Sequence, residues 1–587
     1  MKKVAAVVVI TIIMVVVVML VRGAAREIPF ADVFPAGAIG YVGVRGGAEL
    51  VDDLIGSNAW KKLNGVESVR DFTREAREKL ERRGAPIPAL RTLSALLGEH
   101  AAAAIYGRES RFGRSILAAV KTREKGEAIL ALVTSGFGGK AAGSYREREL
   151  YSFRIPALVG LEGVYARGGD TSIAVVSQSD PMGLLKAAID LSARKGGSPL
   201  SGDKQFKAGL GAPPRGAGTL IGCAYLDVKA IEKEFQGLKT AIAKRMRERN
   251  SAAADAVARV GMGQFPCMSW GGYLYRHQGL VGNLHMCLDG ARLSAEQRAL
   301  FEVGAGKLDL LRYVPAGAIA VSASRLGNIR TAWKLYRAQA GATQAMDILS
   351  LCEKRLGIDL DREVFPWRGE EMSLQLSDVL TGGLLPAARV GVVLSVSDRS
   401  AAEKALTALM ERFAQPPATQ GQQKPWAFLR PVITSEEYKS EKIKTLSYPI
   451  PGFSPSYALR DRSLIAGLDR ISVQTIIDVA AGARDSILSS GKFAEMRKML
   501  PGRVNQLTYI DCERALEAGE GVVRWLLAVK RLTTAADNPE KAKALVKVET
   551  DLPRIFTALR VFHAAMAGST VKRDTIDTYF ILRMRDI

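Results

Sequence analysis

Four residues with metal-binding side chains fall within a short stretch of this sequence: Cys267, His277, His285 and Cys287. Sulfur and imidazole nitrogen are the ligands that zinc prefers. The spacing matches no common zinc motif, and the stretch resembles a β-hairpin with a turn near His277. Cys267 and Cys287 would then lie nearly opposite each other, close enough for a disulfide. Three interpretations stay open: ordinary hairpin residues, a Cys267–Cys287 disulfide, or a metal site.

Two pairs of neighbouring ionisable residues invite comparison with general acid–base catalysts. Glu99-His100 and Glu370-Glu371 each precede a stretch typical of a strand. Paired carboxyl groups can transfer protons if burial separates their pKa values. What recurs, however, is Gly-Glu, while the next residue changes from His to Glu. This recurrence favours a turn over a catalytic role.

A glycine-rich stretch, 136–140, superficially resembles a phosphate-binding loop. That motif requires Ser or Thr after the lysine, but Ala141 follows Lys140. The sequence also contains no GxSxG motif, and its four histidines suggest no Ser-His-Asp triad. We therefore predict no catalytic residue and no cofactor, and we leave open whether the protein is an enzyme.

The chain is basic, with a formal net charge of +22. A local basic cluster, predicted to be helical, contains Lys244, Arg245, Arg247 and Arg249. It either contacts an anionic lipid or polymer or forms a solvated helix face. No nucleic-acid-binding module is recognisable, so nucleic acid is not an expected partner.

An unbroken apolar run, residues 4–21, follows Lys2 and Lys3. At about 1.5 Å per residue it could nearly span the roughly 30 Å hydrocarbon core of a bilayer. We predict a single transmembrane anchor. The alternative is a signal peptide cleaved near Gly23-Ala24-Ala25. In either case the lysines favour an N-terminus inside, so we expect a bacterial inner-membrane protein with most of the chain exported to the periplasm or cell exterior.

The rest of the chain contains an internal repeat. The sequence PAGAI at 35–39 recurs at 315–319, and further matches follow in the same order, among them Tyr225-Leu226-Asp227 with Tyr509-Ile510-Asp511. We therefore predict two homologous halves, 32–292 and 312–587, joined by a connector at 293–311. Runs of adjacent strands interrupted by helices favour an α+β fold, with a mainly antiparallel sheet covered by helices in each half.

These patterns resemble a large group of bacterial membrane-anchored envelope proteins that contain a domain of unknown function. The resemblance is carried by the N-terminal apolar run, the strand opening on PAGAI, the Gly-Glu turn, and the Tyr-Ala…Ser-Leu-Ile-Ala-Gly hairpin at 457–467. It implies an exported α+β ectodomain, here with two tandem copies of the module. It implies no activity and assigns no functional residue.

The sequence thus favours a non-catalytic ectodomain that binds or scaffolds an envelope component, including an unknown protein partner. The first alternative is a carrier or chaperone for a lipid or lipoprotein, with an apolar concavity. The second is an envelope hydrolase whose site a single sequence does not reveal.

Overall fold

The computed structural model describes most of the chain beyond the N-terminal segment. It covers residues 28–46, 99–121, 138–154, 161–234, 265–325, 359–414, 431–448, 453–535 and 539–585, except positions 29, 169, 216–217, 219, 276–278, 302, 326 and 384–385. Positions 61, 65, 66, 70, 74, 327, 329–331 and 333 are also described.

Twenty strands form the framework of the described structure. They are β1 (Gly40–Arg45), β2 (His100–Tyr106), β3 (Ser115–Lys121), β4 (Lys140–Tyr145), β5 (Arg148–Arg154), β6 (Glu162–Arg167), β7 (Thr171–Ser177), β8 (Leu220–Asp227), β9 (Cys267–Tyr275), β10 (Gly279–Cys287), β11 (Ala320–Arg325), β12 (Arg368–Leu380), β13 (Ala387–Val396), β14 (Val432–Tyr438), β15 (Glu441–Ser447), β16 (Ser456–Arg460), β17 (Ser463–Gly467), β18 (Gln506–Asp511), β19 (Phe562–Val571) and β20 (Thr575–Met584).

Helices connect these strands. The α-helices with defined bounds are α1 (Pro181–Ser192), α2 (Lys204–Gly209), α3 (Ala295–Phe301), α4 (Arg399–Ala414), α5 (Arg470–Ala480), α6 (Gly491–Met499), α7 (Cys512–Ala535) and α8 (Pro539–Leu559). Short 3₁₀ helices occur at Leu200–Gly202, Asp309–Tyr313 and Ile487–Ser489, and a π-helical turn occurs at Leu360–Val364.

The strands form one antiparallel sheet. Its spatial order is β4-β5-β6-β7-β3-β2-β1-β8-β9-β10-β20-β19-β18-β11-β12-β13-β17-β16-β15-β14. Strands β1 to β10, here called the first half, occupy one side, and β11 to β20, the second half, occupy the other. The order of connections within the second half repeats that within the first.

The prediction of a separate sheet in each half is wrong. The last strand of each half, β10 and β20, pair with each other over nine residues, from Gly279 opposite Arg583 to Cys287 opposite Thr575. We call this β10–β20 pairing the seam. It forms because each strand would otherwise leave a row of main-chain N–H and C=O groups unpaired. Hydrophobic patterns within a strand do not indicate which distant strand will satisfy those groups.

The prediction of an N-terminal transmembrane helix also needs correction, because the described fold contains no such helix. Residues 4–21 lie outside the described residues. Among the helices that the structure does describe, none combines the length and the apolar character needed to cross a membrane.

One face of the sheet, here called the first face, packs against short helices. In the first half, α1 begins at Pro181, where the Asp180 side chain accepts a hydrogen bond from Gly183 N at 2.8 Å. Its buried residues Leu184 and Leu185 join a core cluster that contains Tyr41 of β1. In the second half, α5 has the same capping arrangement, with Asp469 accepting from Ser472 N at 2.7 Å.

Candidate functional site

Cys267 and Cys287 form a disulfide in the structure. The register of β9 and β10 places Met268 opposite Met286, so the two cysteines follow as the next facing pair. Their Cα atoms are 5.2 Å apart, within the usual range for a bridge. The bridge therefore joins the two strands beside the seam. His277 lies outside the described residues.

His285 contacts a carboxylate instead of a metal ligand set. Its Nδ1 lies 2.6 Å from Oδ1 of Asp577, on the opposite side of the seam, and both side chains are about nine-tenths buried. Burial would raise the pKa of Asp577, but the hydrogen bond and charge of His285, together with Lys572 at 3.4 Å, lower it. In the described part of the chain, no three His, Cys, Asp or Glu side chains are grouped to hold a metal ion.

Glu99-His100 and Glu370-Glu371 lie near the starts of equivalent strands, and one glutamate of each pair lies beside a nearby cation. Lys121 lies 3.6 Å from Glu99, and Arg325 lies 2.8 Å from Glu370. Burial raises the pKa of Glu371, whose Oε1 accepts a hydrogen bond from Leu310 N at 2.6 Å. The pairs lie in different halves of the sheet, so the structure does not bring them together as one proton-transfer site.

The remaining predicted sites are described only in part. Gly138 and Gly139 precede β4, which begins at Lys140, and residues 136–137 lie outside the described residues. The basic cluster Lys244, Arg245, Arg247 and Arg249 also lies outside them.

Sequence reasoning missed a charged cluster in the second half. Glu513 at the start of α7 lies 2.6 Å from Lys492, 3.3 Å from His563 and 2.7 Å from Arg585. Lys492 also lies 3.3 Å from Asp511. These ion pairs tie the ends of β18, β19 and β20 to α6 and α7. Because the residues are dispersed along the chain, no local motif could have indicated the cluster.

The opposite face of the sheet, here called the second face, carries a continuous apolar surface in the first half. We call this surface the apolar patch. It runs across β8, β1, β2 and β3, in that order, and alternation along each strand places its members on one face. Its members are Val42, Val44, Ala101, Ala103, Ile105, Ile116, Ala118, Val120, Ala224 and Leu226.

The large side chains of the apolar patch are exposed. Val42 is 48% exposed, Ile116 47%, Ile105 44% and Leu226 40%. Alanines flank Val42 on the neighbouring strands, and the patch is about 14 Å across the four strands. Contiguous exposed apolar surface of this kind often marks a binding site.

The equivalent surface of the second half is more polar. The registers of β1 with β8 and of β11 with β18 make Val42, Val44 and Ala224 equivalent to Ser322, Ser324 and Thr508. The other equivalent positions stay apolar, among them Leu374, which is 44% exposed, and Ile510, which is 37% exposed. The second half therefore repeats the apolar surface but interrupts it with three hydroxyl groups. A sequence signal existed: β1 and β2 are apolar at nearly every position, whereas a strand with one solvated face alternates.

The fold and the patch define an antiparallel β-sheet protein with an exposed apolar surface. Residues 274–427 match a family described as "Protein of unknown function (DUF3352)". This match supports the expected relation to a domain-of-unknown-function family. It begins within β9, crosses the boundary between the two halves and covers about a quarter of the chain.

No similar protein was found among the curated proteins or among the solved structures. The family description records no activity. Function must therefore be inferred from the site itself.

Proposed function

We propose that this protein is a non-catalytic binding protein of the bacterial cell envelope, and that its apolar patch holds the acyl chain of a lipid or lipid-modified protein. The observation that carries the proposal is the exposure of Val42, Ile105, Ile116 and Leu226 on one continuous surface. Each square ångström of apolar surface removed from water contributes about 25 cal/mol, so covering this surface is favourable.

The shape of the patch favours a thin, flexible chain as its occupant. Short side chains at Ala103, Ala118 and Ala224 lie between the longer aliphatic ones. None of the patch members has an aromatic ring on which a planar ligand could stack. It also presents no polar side chain, so the patch offers no hydrogen bond to a peptide backbone.

The location is proposed from the N-terminal sequence. Residues 4–21 and the preceding lysines would direct export, with the sheet on the outer side of the inner membrane. Lipids and lipid-modified proteins are abundant there, which fits an acyl-chain ligand. Recovery of the protein from the membrane fraction, with its N-terminal sequence determined, tests the location.

We also propose that the chain contains two tandem copies of one ten-strand unit within its single sheet. The recurrence of PAGAI at 35–39 and 315–319 supports this origin. The strand order also supports it, because equivalent strands pair in the two halves. For example, β1 pairs with β2 and β3 with β7, as β11 pairs with β12 and β13 with β17.

The acyl-chain proposal is tested with Val42→Asp in the full chain. A charge at the centre of the patch must be desolvated under a bound chain, so we expect affinity for a fluorescent palmitoyl probe to fall at least tenfold, about 1.4 kcal/mol. Titration of the probe, followed by fluorescence, gives the dissociation constant.

Ser322→Asp is the matched control, because Ser322 is the equivalent residue in the second half. It should leave probe binding unchanged. Equal loss in both variants, or no binding of the probe to the unmodified protein, would refute the proposal. Because Val42 is half exposed, circular dichroism should show both variants folded.

A further inference from the structure

A cavity of about 580 Å³ lies in the first half, between residues 210–215 and strands β8, β9 and β10. The sheet beneath it contains Cys223, Gly271 and Asn283, which are neighbours in register. Cys223 belongs to the core cluster of the first face. The cavity and the apolar patch therefore lie on opposite faces of the sheet.

Asn283 has an unpaired acceptor beside this cavity. The residue is 3% exposed, and its amide nitrogen donates to Ala212 O at 3.0 Å. Since Ala212 O can only accept, this bond fixes the orientation of the amide. The other amide atom, Oδ1, is buried and has no partner among the residues that the structure describes. A ligand with an N–H or O–H group would remove the free-energy cost of this unpaired oxygen.

Gly271 leaves room for a ligand between Asn283 and Tyr273. A Cβ atom at Gly271 would lie 2.8 Å from Asn283 Oδ1 and 3.0 Å from the Tyr273 hydroxyl, so both oxygen atoms are close to the same point. Burial raises the pKa of Tyr273 to about 12, which keeps its hydroxyl protonated at neutral pH. The Tyr273 ring also lines the cavity and offers a surface on which an aromatic ligand can stack.

Arg215 supplies positive charge at the outer end of the cavity. It is exposed and forms no ion pair with any residue that the structure describes. Burial and Asp577 raise the pKa of Tyr579, and the charge of Arg215 opposes this rise. The guanidinium therefore lies near Tyr579, the neighbour of Asn283 across the seam. Since the described residues that line the cavity include no acidic side chain, an anionic group complements this end.

Leu500 fills the equivalent space in the second half. The registers of β8 with β9 and of β18 with β19 make Gly271 equivalent to Gly568. A Cβ atom at Gly568 would lie 2.7 Å from Cδ1 of Leu500, which is 1% exposed. Tyr579 takes the position equivalent to Asn283. The unpaired amide oxygen and the space beside it therefore distinguish the first half.

We propose that the cavity binds a small hydroxylated aromatic carboxylate. The ligand hydroxyl donates to Asn283 Oδ1, the ring stacks on Tyr273, and the carboxylate pairs with Arg215. Small-molecule sites usually have volumes of about 300–1,000 Å³, which includes this cavity. Guanidinium groups form charge-assisted, often bidentate hydrogen bonds with carboxylates. Because the apolar patch is on the other face, this ligand and an acyl chain bind independently.

The test titrates three ligands into the full chain by calorimetry. Para-hydroxyphenylpropionate carries all the groups, phenylpropionate lacks the hydroxyl, and para-hydroxyphenylpropionamide lacks the charge. We expect the first to bind about tenfold more tightly than either analogue, because each missing group leaves a protein group unpaired. If phenylpropionate binds equally well, Asn283 Oδ1 pairs only with a buried water and the assignment is wrong. Failure of all three ligands to bind would also overturn it.

Arg215→Gln locates the carboxylate. It should weaken the binding of para-hydroxyphenylpropionate about fivefold, as expected for a partly exposed ion pair, and leave the amide unaffected. Arg194→Gln is the matched control, because Arg194 is an exposed arginine at the end of α1. An equal loss in this control would show a general charge effect and contradict the role of Arg215.

Gly271→Ala locates the ring and hydroxyl. The added Cβ atom occupies the space between Asn283 Oδ1 and Tyr273, so we expect the loss of detectable binding. Gly568→Ala is the matched control, since it crowds the equivalent position of the second half to a similar degree. It should bind the ligand as the unmodified protein does, with circular dichroism showing both variants folded. Full binding by the Gly271→Ala protein, or displacement of the palmitoyl probe by para-hydroxyphenylpropionate, would refute the placement of the ligand.

Discussion

We expect two histidines, the buried His563 and the partly buried His100, to make the stability of this protein sensitive to mild acid. Burial lowers the pKa of His563 and of His100, and the nearby cation Lys492 lowers that of His563 further. In the unfolded chain each histidine has a pKa of about 6.5. The unfolded state therefore binds more protons just below that pH, and acid favours unfolding.

We expect the free energy of unfolding to keep its full value above about pH 6.5 and to decrease as the pH falls below it. His563→Gln and His100→Gln should each flatten this decrease, and the double variant should flatten it most. Urea denaturation at several pH values between 5 and 8 measures the slope. A slope identical in all four proteins would contradict the assignment.

The residues of the seam show what one sequence can and cannot predict about a site. A hairpin register relates Cys267 to Cys287, so their proximity could be inferred from local sequence. His285 and Asp577 are 292 residues apart, and only the pairing of β10 with β20 brings them together. No local pattern predicts that contact, and the same is true of Glu513 with Lys492, His563 and Arg585.

At the scale of elements, glycines allow aromatic side chains to pack across the seam. Gly282 of β10 lies opposite Phe580 of β20, and a Cβ atom at Gly282 would collide with the Phe580 ring. That ring stacks with Trp270 of β9 at an interplanar angle of 4°. A side chain at Gly282 would therefore displace an aromatic contact that joins the halves.

Gly282→Ala should destabilise the protein by about 1–3 kcal/mol, because overpacking forces the Phe580 ring to move. Chemical denaturation measures the change. Gly290→Ala is the control, since a Cβ atom there meets nothing within 4 Å, and it should cost little. Equal stability of the Gly282→Ala protein and the original protein would contradict this account of the packing.

Many elements were predictable because their signals are local. From the sequence alone we predict a strand over 115–121 and a helix over 181–193, and the structure has Ser115–Lys121 and Pro181–Ser192. The sequence also predicts a strand over 372–376, which is too short, since β12 extends over Arg368–Leu380. Its ends contain charged and polar residues, and pairing with β13 on one side maintains the strand there.

At the scale of the whole molecule, the two halves share hydrophobic cores. Val281 of β10 belongs to a core cluster whose other members all follow it in the chain, most of them in the second half, among them Val321 and Tyr509. Ile221 and Leu280 pack with Met584 in another cluster. Neither half can therefore lose its structure without exposing apolar surface of the other.

We expect the described sheet to unfold in a single cooperative transition. Differential scanning calorimetry of the full chain should show one peak, and tryptophan fluorescence and far-ultraviolet circular dichroism should give the same midpoint. Two well-separated peaks would mean that the seam contributes little to stability. Gly282→Ala should lower the midpoint without splitting the peak.

The seam also bears on the evolutionary history of the chain. Equivalent last strands that pair antiparallel are related by a local two-fold axis, as in the isologous interface of a homodimer. If the tandem copies descend from one ancestral gene, its product could have formed this interface between two separate polypeptides. Gene fusion would then have made the interaction independent of concentration and freed one subunit to diverge. On this history, the polar Ser322 and the apolar Val42 record specialisation within what was once a symmetric pair.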